Sequence, residues 1–262
     1  MATLANSNVV VVWSSFNQAG SNSLLDIYGQ ILSPVGEKVG SEFHINQFNN
    51  FNQRTPAIAP LGNGGFVVVW VSEQQRSSAP TNWGANAVYY SSGALPLPSV
   101  DINARLYGSN GVAIGNEFRV NTDNNISANP TVAAASDGSF MVAWGEKDPV
   151  SPDNSWDIYA RSFSNGGGGG TVVRVNNWLY GDQYAPRINA LGSDYLVVWT
   201  SLGQDGSRQG SVWTISTERW HTGRWRIPGE HYDHQPANEP SCGFRRVPAV
   251  YCGLDELYRQ PV

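Results

Sequence analysis

Four apolar runs punctuate the chain, and each closes on tryptophan: NVVVVW at Trp13, GFVVVW at Trp70, SFMVAW at Trp144 and DYLVVW at Trp199. They are continuous rather than alternating, the pattern of strands buried on both faces. A second segment follows each of the first three: DIYGQIL from Asp26, DINARLY from Asp101 and DIYARSF from Asp157. A third closes on asparagine, as EFHIN at Asn46, EFRVN at Asn121 and VVRVN at Asn176. A fourth opens on proline, as PAIAPL from Pro56, PTVAAAS from Pro130 and PRINAL from Pro186. All are short, rich in β-branched and aromatic residues and bounded by Gly, Asn, Asp or Pro, so all are predicted strands.

Naming these segments A (opening on Pro), B (closing on Trp), C (opening on Asp) and D (closing on Asn), the chain reads B-C-D, A-B-C-D, A-B-C-D, A-B. That makes thirteen strands and a start inside a unit. The tryptophans are 57, 74 and 55 residues apart. Between C and D lie SPVGEKVG, GSNGVAIG and SNGGGGG, with glycines where a tight reversal needs positive φ. A meander of four antiparallel strands of this length is a propeller blade. The expected fold is therefore all-β, a β-propeller of four-stranded antiparallel blades. It is four-bladed, or it is part of a propeller of five or more blades completed by other chain or by an oligomer.

Over roughly residues 8–207 the GGFVVVW, DIYGQ and EF-x-VN elements resemble repeats of large secreted bacterial proteins of the haemolysin-type calcium-binding and adhesin kind, and more loosely integrin-like propeller repeats. The resemblance implies an extracellular parent protein and calcium as a cofactor. The residues give calcium weak support: GQDGS at Asp205 and SDGS at Asp137 lack the alternating aspartates that wrap the ion, so no metal is expected.

At 262 residues the chain can bury a sizeable core, and 28 glycines, 10 tryptophans and 11 tyrosines with 14% charged residues suit strands and turns. A net charge of −5 argues against nucleic acid, which needs clustered Lys and Arg. No segment is apolar for long enough to insert in a membrane as a helix, and MATLANSN lacks the features of a signal peptide.

The repeat covers 1–207, and 208–262 departs from it. A C strand is due near residue 212, but the text becomes SVWTISTERWHTGRWRIPGEHYDHQ. Roughly the last 52 residues fit an out-of-frame translation of a further repeat. In the shifted frame Trp213, Trp220 and Trp225 each become Gly, and the degenerate codons permit C, D and A strands at about the repeat spacing. His221, His231, His234, Cys242 and Cys252 then carry no metal or redox meaning. SVWTIST and RWRIP remain β-like pieces near where strands C and D are due.

The B-to-C and D-to-A loops share one end of a propeller, and loops on a rigid scaffold carry function. The second unit has about nineteen extra residues there, including Trp83, Tyr89 and Tyr90, which with Asp153 and Trp156 are candidate ligand-binding residues. Glu73, Glu146 and Asp148 are candidate catalytic carboxylates, with Asp153 nearby, because paired carboxylates beside aromatic platforms suit glycoside hydrolysis. Asp26, Asp101 and Asp157 recur once per unit and fit a structural cap at the start of the strand. His44, alternating with Phe43 and Ile45, reads as a surface residue. No nucleophile elbow, P-loop, HExxH or paired CxxC is present. The expected function is a binding module for a glycan or a protein surface, able to form homo-oligomers; the alternative is a glycoside hydrolase.

Overall fold

Strand pairing groups the elements into successive antiparallel sheets of the predicted unit. The structure is a computed structural model and describes residues 1–20, 23–73, 75, 99–147, 156–204 and 210–216. These lie in one unit, Met1–Tyr232. The first blade holds β1 (Ala2–Thr3), β2 (Val9–Phe16), β3 (Ser23–Leu32) and β4 (Lys38–His44). The second holds β5 (Phe51–Pro60), β6 (Phe66–Glu73), β7 (Val100–Tyr107) and β8 (Ala113–Arg119). The third holds β9 (Ser127–Ala134), β10 (Phe140–Lys147), β11 (Trp156–Phe163) and β12 (Val173–Arg174). The fourth has β13 (Gln183–Leu191), β14 (Asp194–Ser201) and β15 (Gly210–Ser216). Within each blade consecutive strands pair antiparallel, and a short parallel contact of Ser23 and Leu25 with Phe51 and Asn52 links the first two sheets.

Two strands go beyond the thirteen expected. β1 pairs with β2 through Ala2 with Val10 and Thr3 with Val9, which gives the first blade an A strand. The unit therefore does not start at B. β15 pairs with β14 from Tyr195 with Ser216 to Ser201 with Gly210, so the SVWTIS segment occupies the C position in the fourth blade. RWRIP lies outside the described residues.

The tryptophan runs are buried on both faces, as their continuity predicted. Phe66, Val68 and Trp70 pack with Val10, Ile27 and Ile31 of the first blade. Val67, Val69 and Val71, on the other face, pack with Val132, Val142 and Trp144 of the third. Met141 and Ala143 then meet Tyr195, Val197 and Trp199 of the fourth. Phe66 to Val71 are all 0% exposed, and each such side chain contributes about 1.5–3 kcal/mol. β5 packs against β9 and β9 against β13, so the A strands are neighbours from blade to blade.

The A strands begin before their prolines, at Phe51, Ser127 and Gln183 rather than at Pro56, Pro130 and Pro186. Each proline sits at a register shift inside the strand, where its missing N–H does no harm. The preceding residue has positive φ every time: Thr55 at 52°, Asn129 at 53° and Ala185 at 53°. The polar first halves of these strands, such as FNQRT, resemble linker, which hid them. Gly36, Gly111 and Gly167 hold φ of 86°, 80° and 82° at one equivalent place in the C-to-D turns, the conformation expected of them.

Candidate functional site

Each blade is closed by a buried clamp. Asn46, Asn121 and Asn176 donate through Nδ2 to Asp26, Asp101 and Asp157 at 2.7, 2.8 and 2.6 Å. Through Oδ1 the same asparagines accept the backbone N–H of Ile27, Ile102 and Ile158 at 2.6, 2.9 and 2.7 Å. All six clamp side chains are nearly fully buried. The recurrent aspartates are structural, as expected, but they pin the end of the D strand rather than cap a turn. A basic residue two places before the asparagine joins them: Arg119 lies 3.8 Å from Asp101, Arg174 4.0 Å from Asp157 and His44 3.6 Å from Asp26. His44 is thus not simply a surface residue. Its ring stacks on Tyr28 at 4.9 Å and is 28% exposed, because Tyr28 and His44 face each other across β3 and β4.

The asparagine also donates to the carbonyl two residues further on, at Phe48 (3.0 Å), Asp123 (3.3 Å) and Trp178 (2.8 Å). That contact holds the start of each D-to-A linker. The linkers meet the ends of the B strands: Lys147 N–H donates to Ile126 at 2.8 Å and Leu202 N–H to Asp182 at 2.9 Å. One end of the blades therefore gathers the linkers and the B-to-C loops, where function was expected.

Glu146 lies at this end and is 1% exposed. Its Oε1 accepts Asn125 Nδ2 at 2.9 Å and its Oε2 accepts Trp144 Nε1 at 3.0 Å. Burial, and then the neighbouring Asp123 carboxylate, push its carboxyl up to about 8, so at neutral pH it keeps its proton. Asp123 was missing from the sequence candidates. It belongs to the linker NTDNNIS, and the only hint was an aspartate where the first linker has phenylalanine and the third tryptophan.

Glu73 is held differently. Its Oε1 lies 2.6 Å from Arg54 Nε and its Oε2 accepts Asn52 Nδ2 at 2.9 Å, with the side chain 21% exposed. It is an ion-paired carboxylate at the end of β6, one place further along its strand than Glu146 is along β10. Trp156 opens β11 opposite Lys147, half-buried, with its ring beside Gly145. Asp148, Asp153, Trp83, Tyr89 and Tyr90 lie outside the described residues. Of the sequence candidates, Glu73, Glu146 and Trp156 share this end of the blades; Asp123 and Asn125 join Glu146. Among the described residues no group of three or more His, Cys, Asp or Glu side chains could hold a metal ion.

No family model matches the chain, and no curated protein matches it in sequence. Solved structures do. An α-L-arabinanase from Penicillium chrysogenum, complexed with arabinobiose, aligns with a TM-score of 0.51 at 15% identity over 82% of this chain and 60% of its own. A thermostable family-43 glycoside hydrolase aligns with a TM-score of 0.48 at 12% identity over 87% of this chain and 74% of its own. The chain thus spans 60% of the length of the arabinanase. At such identities the likeness speaks for the fold, and with the paired strands it makes this chain a β-propeller of four-stranded antiparallel blades.

Proposed function

We propose that the chain is a carbohydrate-active β-propeller, a glycoside hydrolase module that works at the end formed by the linkers and the B-to-C loops. One observation carries the reading: Glu146 holds a proton at neutral pH beside the Asp123 carboxyl, and a raised acid next to a second carboxyl is the acid–base arrangement of glycosidases. The arabinanase alignment supports it at the level of scaffold, since that propeller is complexed with a sugar. Glu146 is the proton donor to the leaving oxygen. Asn125, reaching it from the linker, is the group a substrate displaces. The resemblance to secreted bacterial repeats makes the compartment extracellular, and the departure after residue 207 is an out-of-frame segment, which sequencing of the encoding DNA tests.

The test is turnover of arabino-oligosaccharides and aryl arabinosides by the wild type, Glu146→Gln and Asp123→Asn. Removing a general acid costs about 10²–10⁴-fold in kcat. Unchanged kcat in Glu146→Gln rejects Glu146 as the acid. A second reading, sugar binding without turnover, draws on the same residue: both Glu146 oxygens are already engaged by Trp144 and Asn125, and the side chain is 1% exposed. Binding by a wild type that never hydrolyses favours it.

A further inference from the structure

We infer that the D-to-A linkers form one glycan-binding strip, with Phe48, Asp123 and Trp178 as its equivalent positions on successive blades and Tyr180 extending it. The inference rests on the carbohydrate reading and names the surface that takes the sugar chain.

The equivalence is structural. Each of the three residues offers its carbonyl to the clamp asparagine two places earlier, at 3.0, 3.3 and 2.8 Å. A buried side chain therefore anchors each position, and the strip is preorganised rather than a set of loose loops. Trp178 is 38% exposed and Tyr180 67%, and neither belongs to the cores between blades.

The chemistry of the strip selects its ligand. The linkers read QFNNFN, TDNNI and NWLYGD, so rings alternate with amides and carboxylates, with no Lys or Arg. A sugar offers an apolar C–H face to a ring and a rim of hydroxyls to amides and carboxylates. A phosphate polymer or an anionic membrane needs cations that the linkers lack. A second protein copy needs a continuous apolar centre of about 800 Å² per partner, whereas polar groups interrupt these rings. In blade order the strip also sets Asp123, beside Glu146, between two aromatic positions.

The experiment measures binding of linear arabino-, xylo- and galacto-oligosaccharides by calorimetry, together with sedimentation of the protein alone. It compares the wild type, Trp178→Ala, Tyr180→Ala and Val112→Ser, a control 62% exposed in a C-to-D turn at the opposite end. The strip predicts at least a tenfold loss of affinity in Trp178→Ala, a smaller loss in Tyr180→Ala and none in Val112→Ser, with unchanged melting temperatures. If the wild type binds or hydrolyses an oligosaccharide and Trp178→Ala keeps its Kd and KM, the strip is wrong while the carbohydrate reading stands. If no oligosaccharide is bound or turned over, both fall. If instead the wild type self-associates and Trp178→Ala does not, the rings form a protein interface and the strip is overturned.

Discussion

Glu146 and Ser127 are register partners across β9 and β10, where the flanking blades pair Ser72 with Gln53 and Ser201 with Gln183. The long polar side chain has changed strands, from A to B, and the serine has moved the other way. Its task persists: Gln183 Oε1 accepts Trp199 Nε1 at 3.1 Å, and Glu146 Oε2 accepts Trp144 Nε1 at 3.0 Å. One long and one short side chain fill the space in either arrangement, so packing is preserved. What changes is the chemistry, since an ionisable acid stands where an amide suffices for structure.

That exchange makes Glu146→Gln informative about stability as well as turnover. The folded carboxyl is raised to about 8 from an ordinary value of 4.5. Between those values the unfolded chain has shed the proton and the folded chain retains it. Stability from this group is therefore fully present below pH 4.5, drains as pH rises to about 8 and is level above. A glutamine still accepts from Trp144 and donates to Asp123 without that loss. The wild type should lose stability from pH 5 to 8 while Glu146→Gln loses less, leaving the variant more stable by roughly 2–4 kcal/mol at pH 8. Parallel melting curves across this range would show that Glu146 ionises freely in the fold.

The clamps predict a larger and uniform penalty. Asn121→Ala strands the buried Asp101 carboxylate and the Ile102 N–H at once. Unmade buried bonds of this kind cost about 1–3 kcal/mol each, so urea unfolding should show a loss of about 2–4 kcal/mol, with like losses for Asn46→Ala and Asn176→Ala. A loss below about 1 kcal/mol at all three would mean that the D strands are held by packing alone.

The blade unit was legible because Trp, Asp, Asn and Pro recur in one order, and because continuous apolar runs such as FVVVW can only be buried on both sides. The partnerships inside it were not. Glu146 reads as one more loop acid until the register shows it facing Ser127. The part of His44 emerges only once β3 and β4 bring it over Tyr28 and Asp26. Asp123 drew no attention because its significance comes from the Asn121 contact that sets its linker. β1 is two residues long and carries no pattern, so an A strand at Ala2–Thr3 could not be anticipated.

The strand prolines offer a test of backbone strain. Thr55, Asn129 and Ala185 hold φ of 52°, 53° and 53°, a region that costs ordinary residues about 1–2 kcal/mol and is worst for β-branched ones. Glycine relieves this but adds freedom to the unfolded chain, an offset of about 0.5–1 kcal/mol. Thr55→Gly should therefore stabilise by up to about 1 kcal/mol, Ala185→Gly by less and Asn129→Gly by little or nothing. Chemical denaturation gives the ranking, and Asn129→Gly gaining most would contradict it.

His44 is the exception in a series whose other members are Arg119 and Arg174, and replacing it isolates the worth of the cation. The equivalent Arg174 faces Tyr159 across β11 and β12, as His44 faces Tyr28. An arginine in the first blade can therefore lie along the Tyr28 ring and reach Asp26 with a charge that does not depend on pH. The site is partly exposed, so the gain is small: His44→Arg should raise stability by about 0.5–1 kcal/mol at neutral pH. If the gain comes from the ion pair, it disappears in the Asp26→Asn background and shrinks with added salt. If it survives both, the benefit comes from packing of the longer side chain on Tyr28, and the charge in the D strands serves some purpose other than holding the clamp.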